Sequence, residues 1–143
     1  MPQTRIYVPL NLTTMADLIH HRELRGRQVP AHAVTGAFER SLPGTDEEER
    51  EYVALCNAAR QASGLRIAAH DRRIVAAADV DISAVGEPHG PHPEALSLVE
   101  VTGPVPMRHI VSFHIDEVGG AEAIEMLWYD VTEAQDALTY AKG

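Results

Sequence analysis

Serine, histidine and aspartate alternate along Arg108–Asp116, the segment whose residue types could best support chemistry. Read as a β-strand, it places Ser112, His114 and Asp116 on one face and apolar side chains on the other. Side chains of these types act in nucleophilic or acid–base catalysis when they lie within hydrogen-bond distance. Residues two apart on a strand are separated by roughly 6.6 Å, so this row alone cannot form a contiguous relay.

A base and a group that orients it can still be assembled from the predicted strands. His114 with Asp116 or Asp79 is the only such pair that the residues offer. Ser112 lacks the Gly-x-Ser-x-Gly elbow of serine hydrolases, and Cys56 is expected to be a buried core residue of a helix. The candidate catalytic residues are therefore His114, Asp116, Ser112 and Asp79. The alternative is that these polar residues face solvent or pair across strands.

A metal site is the second chemistry to consider, because the chain contains eight histidines. His109, His114 and Asp116 lie at or near predicted strand ends, where three ligands of a divalent metal could meet. However, the sequence contains no His-Glu-x-x-His and no Cys-x-x-Cys motif. We therefore predict no cofactor, with a divalent metal at these three residues as the alternative.

Composition excludes several classes of protein. The 143 residues, 45% of them apolar, are predicted to form a single globular domain over 1–143. A net charge of -9 and the absence of a dense Lys/Arg run argue against nucleic-acid binding. No signal peptide and no run of about 18 apolar residues are visible, so we predict a cytoplasmic protein that does not bind membranes.

The first half of the chain reads as a strand followed by helices. Arg5–Val8 is rich in β-forming residues, and Thr13 or Thr14 would cap the helix that follows. Thr45–Glu48 has the pattern of a capping box, and the apolar spacing after it predicts a helix over Asp46–Ser63. We interpret the acidic first turn of this helix as a solvated helix start rather than a metal site.

The second half reads as strands that lead to a terminal helix. Ile74–Val80 is nearly continuously apolar, as in a central strand covered on both faces. Residues 86–93 hold three prolines and two glycines and are predicted to form a flexible loop. Leu96–Val101 and His109–Asp116 are predicted strands that could pair antiparallel. Residues 121–131 fit either helix or strand, and the strand is preferred. The terminal helix would bury one stripe: Ala134, Ala137, Leu138 and Ala141.

This order of elements is too irregular for a doubly wound βαβ sheet. The predicted fold class is α+β, a two-layer sandwich with a largely antiparallel sheet packed by helices. Trp128, the one tryptophan, is predicted to lie in the core and seat the terminal helix, with Tyr129 lining a surface. The alternative is that this pair anchors an interface.

Six short motifs, taken in order, resemble a family of small actinobacterial proteins of unknown function. They are Ile6–Pro9, Ala31–Thr35, Asp46–Tyr52, Arg73–Val80, His114–Asp116 and Leu127–Tyr129. The resemblance covers nearly the whole chain. It implies an intracellular bacterial setting and supplies no catalytic residue.

Two main hypotheses about function follow from these observations, and a third, an inhibitor that mimics nucleic acid, has only the net charge of -9 in its favour. The first is a small acidic non-enzymatic module that binds a protein partner or associates with itself, because catalytic motifs are missing and the core is ordinary. The second is a small enzyme or ligand-binding domain whose polar site gathers the candidate residues around His114, with or without a metal. Convergence of those side chains in a concave pocket would distinguish the second from the first.

Overall fold

The computed structural model describes residues 2–90 and 92–143. Its strands are β1 (Gln3–Leu10), β2 (Glu23–Leu24), β3 (Gln28–Ala33), β4 (Ile74–Asp81), β5 (Leu98–Thr102), β6 (Val105–Pro106), β7 (Ile110–Asp116) and β8 (Met126–Asp130). Its helices are α1 (Leu12–His21), α2 (Gly36–Arg40), α3 (Glu47–Ser63), α4 (Pro93–Ser97) and α5 (Ala134–Lys142). No helix of the described residues is both long enough and apolar enough to cross a membrane.

Six strands form one antiparallel sheet in the order β5-β3-β1-β4-β7-β8, and β2 pairs with β6 in a second, two-stranded sheet. The α+β sandwich with a largely antiparallel sheet is confirmed. Strands that follow one another in the chain seldom lie side by side. Distant segments of the sequence therefore meet in the sheet.

Helices cover both faces of the sheet because the central strand β4 is apolar on both. Ile74 and Ala76 belong to a cluster that includes buried residues of α1 and α5. Val75 and Ala77 belong to the cluster that includes Ala54, Ala58 and Ala59 of α3. The sheet thus lies between two helical layers, one layer more than the predicted two-layer arrangement has, as the apolar run of β4 indicates.

Two helix starts differ from the predicted ones. Asn11, not Thr13 or Thr14, caps α1, and its side chain accepts a hydrogen bond from the backbone N–H of Thr14 in a capping box. Asp46, not Thr45, caps α3. In both places more than one neighbouring residue could cap the helix. The N-cap is the residue whose side-chain oxygen accepts a hydrogen bond from the backbone N–H three residues later.

The predicted antiparallel pairing of the strands at 96–101 and 109–116 is wrong. β5 pairs with β3, and β7 pairs with β4 and β8. The partner of β5 was not predicted, because Pro30 lies in the middle of β3 and proline is disfavoured within a strand.

The C-terminal strand followed by a helix is confirmed, and the four predicted stripe residues of α5 are all buried. The predicted burial of Trp128 is wrong, because its side chain is 60% exposed. Tyr129 instead packs partly buried against the core, 6.0 Å from the ring of Tyr140. On this edge strand Tyr129 faces the cluster that includes α1 and α5, whereas Trp128 lies opposite His114 on the other face, where it stays exposed.

Two further predictions concern single segments. Cys56 is buried, as expected of a core residue. Of the loop predicted at 86–93, Pro91 lies outside the described residues, and the flexibility of the loop stays a prediction. α4 begins at Pro93, so the predicted loop runs into a short helix.

Candidate functional site

The polar row of β7 lies on the face of the sheet that carries α3. His114 is paired across the strands with Val75, and Ser112 with Ala77. The Ser112 hydroxyl lies 3.1 Å from Nε2 of His114. Burial and the nearby charge of Arg5 lower the pKa of His114 to about 4. The imidazole is therefore neutral at neutral pH, and its Nε2 can accept a hydrogen bond from the Ser112 hydroxyl.

Asp116, the third member of the row, is bound to an arginine instead of to His114. Its Oδ2 accepts hydrogen bonds from the backbone N–H and Nε of Arg73 at 2.7 and 2.8 Å, and its Oδ1 accepts one from Nη2 at 3.0 Å. The side chains of both residues are almost fully buried. Arg73 also donates to the carbonyl oxygens of Glu122 and Ala123. This ion pair therefore joins the start of β4, the end of β7 and the segment before β8.

Asp79 is engaged in the same way, but near the surface. Nε of Arg5 donates to Oδ1 of Asp79 at 2.7 Å, and Nη2 donates to Oδ2 at 3.2 Å. Both side chains are about one-third exposed. The four candidate residues thus form one serine–histidine contact and two separate aspartate–arginine pairs.

The structure does not assemble the residues considered for a metal. His109 lies in a single 3-10 turn before β7, and Asp116 is held by Arg73. Among the side chains that the structure describes, no three of His, Cys, Asp or Glu are grouped so that they could hold a metal ion.

The two edges of the large sheet differ. Along β5, Val85 forms a bridge to Val101, and the N–H groups of Gly86 and His89 donate to carbonyl oxygens of that strand. The chain therefore covers this edge itself. Along β8, no described strand pairs on the outer side, and Trp128 stands exposed at the centre of the strand. Unpaired backbone groups next to an exposed aromatic side chain are typical of a surface that accepts another strand.

A second polar cluster, missed in the sequence, lies between α3, α4 and β3. His32 contacts Ser97 through Nδ1 and Gln61 through Nε2, each at 2.7 Å. Asn57 donates from Nδ2 to the Ser97 hydroxyl at 3.0 Å, and its Oδ1 accepts from Nη1 of Arg60 at 2.8 Å. His32, Asn57 and Ser97 are buried. The network connects the surface arginine to the interior.

One feature of the sequence could have indicated this cluster. Asn57 and Gln61 are four residues apart on α3, so they share one side of the helix with its buried alanines. Polar residues on a buried helical side require partners. Their partners His32 and Ser97 are 65 residues apart, and no local pattern links them.

Fold and sites together define a small α+β sandwich with an open sheet edge and a buried polar network beside a cavity. The chain belongs to the family of unknown function DUF6912, whose model matches residues 4–124. β8 and α5 lie beyond the matched residues. Neither a curated protein nor a solved structure gives a significant match. The family description names no source organism, so an actinobacterial origin stays a prediction.

Proposed function

We propose that this domain acts by self-association, with two copies joined edge to edge through β8. The open edge around the exposed Trp128 is the observation that carries the proposal. β8 contains no proline or lysine, the residues that protect many edge strands from pairing. The opposite edge of the sheet is covered by residues 85–89, so β8 is the edge available to a partner.

The sequence of β8 is complementary to itself when two copies run antiparallel about Trp128. In that register Trp128 faces its own copy, Leu127 faces Tyr129, and Met126 faces Asp130. Cross-strand pairs between aromatic and aliphatic side chains stabilise a sheet. Asp130 is the one acidic residue of β8, and in this register it faces Met126, so no carboxylate of the strand faces another directly.

Burial of Trp128 supplies most of the apolar area at the centre of this contact. A tryptophan side chain that is 60% exposed offers roughly 120 Å² to a partner, about 3 kcal/mol per copy at 25 cal/mol per Å². The net charge of -9 on each copy opposes association. Because salt screens this repulsion, we expect the dimer dissociation constant to fall as sodium chloride is raised.

Charge substitutions at Trp128 test both the pairing and its register. Trp128→Glu and Trp128→Lys should each be monomeric, since each would place like charges across the two-fold axis. An equimolar mixture should form a heterodimer, because Glu then faces Lys. Sedimentation equilibrium measures all three samples. Tyr52→Glu is the matched control, since Tyr52 is 57% exposed on α3, and it should dimerise like the wild type.

Three results would contradict the proposal. A wild-type chain that stays monomeric at high concentration and high salt would refute the proposed self-association. A Trp128→Glu variant that dimerises like wild type would show that the dimer interface does not include Trp128. Dimerisation lost in Trp128→Glu but not restored in the mixture would exclude the register centred on Trp128.

A further inference from the structure

We propose that the cavity beside the His32 network binds a small carboxylate with a short apolar body. The cavity has a volume of about 470 Å³, within the range of small-molecule sites. Polar and apolar side chains both line it: His32, Asn57, Arg60, Gln61, His92, Ala95 and Leu98. It lies at the opposite end of the sheet from β8, so it is separate from the proposed dimer contact.

Arg60 supplies the charge for this site. A guanidinium carries five N–H donors in a planar fork that matches a carboxylate. The hydrogen bond described for Arg60 uses only Nη1. No carboxylate among the described side chains lies within 4.0 Å of it, although the chain carries 21 acidic residues. An external anion can therefore take the place that an internal carboxylate occupies at Arg5 and Arg73.

Asn57 positions the guanidinium of Arg60 from the buried side. Its side chain is buried and held at both ends, with Oδ1 accepting from Arg60 and Nδ2 donating to Ser97. Ser97 is in turn held by His32, which also contacts Gln61. A surface arginine loses side-chain entropy when it binds a ligand, and a fixed partner reduces that loss. The buried network thus prepares Arg60 for an anion.

The apolar part of the cavity wall selects what the anion carries. Ala95 and Leu98 present partly buried apolar side chains to it. A phosphate ion would leave this wall uncovered, whereas the alkyl chain of a carboxylic acid would cover it. The polar groups near Arg60 and this apolar wall therefore favour a short-chain monocarboxylate over inorganic phosphate.

Pentanoate is a suitable probe, with pentanamide as a neutral control of the same shape. In NMR titrations, pentanoate should shift the side-chain signals of Asn57, Arg60 and Gln61 and leave the Trp128 indole signal unchanged. Pentanamide and inorganic phosphate should each bind at least tenfold more weakly, a difference of about 1.4 kcal/mol. Equal binding of pentanamide, or tighter binding of phosphate, would overturn the assignment to carboxylates.

Three variants separate the roles within the site. Arg60→Gln should raise the pentanoate dissociation constant at least tenfold, whereas Arg108→Gln, a change to an exposed arginine elsewhere, should leave it unchanged. Ala95→Leu should reduce binding of pentanoate while acetate still binds, because it fills the apolar wall and keeps the charge. The dimer variant Trp128→Glu should bind pentanoate normally. Wild-type affinity in Arg60→Gln, or no pentanoate binding by folded wild type, would refute the site.

Discussion

Mild acid should destabilise this protein through His114. Burial and the charge of Arg5 lower its folded-state pKa from the ordinary 6.5 to about 4. A depressed histidine pKa means that protons bind the unfolded chain more readily, so the stability from neutral His114 is complete above about pH 6.5 and is lost as the pH falls towards 4. Linkage gives a loss of about 2 kcal/mol at pH 5. Solvent at the open side of this half-buried ring reduces the expected loss to about 1–2 kcal/mol.

Urea denaturation at about pH 7.5 and about pH 5 measures this loss. In His114→Gln the difference in unfolding free energy between the two pH values should be smaller than in wild type by about 1–2 kcal/mol. His20→Gln, a change to an exposed histidine of α1, should keep the wild-type difference. If His114→Gln loses as much stability on acidification as wild type, then His114 is not the group that couples pH to folding.

Three further substitutions test the packing that surrounds the site. Asp116→Asn should lower the unfolding free energy by about 3–5 kcal/mol, because Arg73 would keep its charge in a buried place without a carboxylate. Asp79→Asn should cost less than about 1 kcal/mol, because that pair is one-third exposed. Equal losses in the two variants, measured by urea denaturation, would contradict this ranking. Gly119→Ala should lower the melting temperature, since a Cβ at this position would clash with the carbonyl oxygen of His70. An unchanged melting temperature would contradict this expectation.

Elements with a strong local pattern were predictable from the sequence. The apolar run of β4, the spacing along α3 and the buried stripe of α5 each depend on neighbours within a few residues. Strand pairing depends on contacts between distant segments, and the pairing of β5 with β7 that the sequence predicts is wrong. Pro30 in the middle of β3 argues against a strand there, so the local sequence does not indicate that β5 pairs with β3.

The candidate site shows the same division between local and distant information. Alternation along β7 placed Ser112 and His114 on one face, and they do meet. The partners of Asp116 and Asp79 are arginines 43 and 74 residues away, which no spacing rule reveals. Trp128 was misplaced because its burial depends on whether β8 is a central or an edge strand, and strand order is not written in the local sequence.

The unequal edges of the sheet limit how far strand pairing can proceed. A second copy that joins at β8 offers beyond it only its own β5, and residues 85–89 already occupy the outer side of that strand. If two copies pair as proposed, growth of the large sheet therefore stops at the closed pair. Raising the protein concentration would then form more dimers without lengthening the sheet. This limit reduces the risk of aggregation that an exposed aromatic edge strand carries.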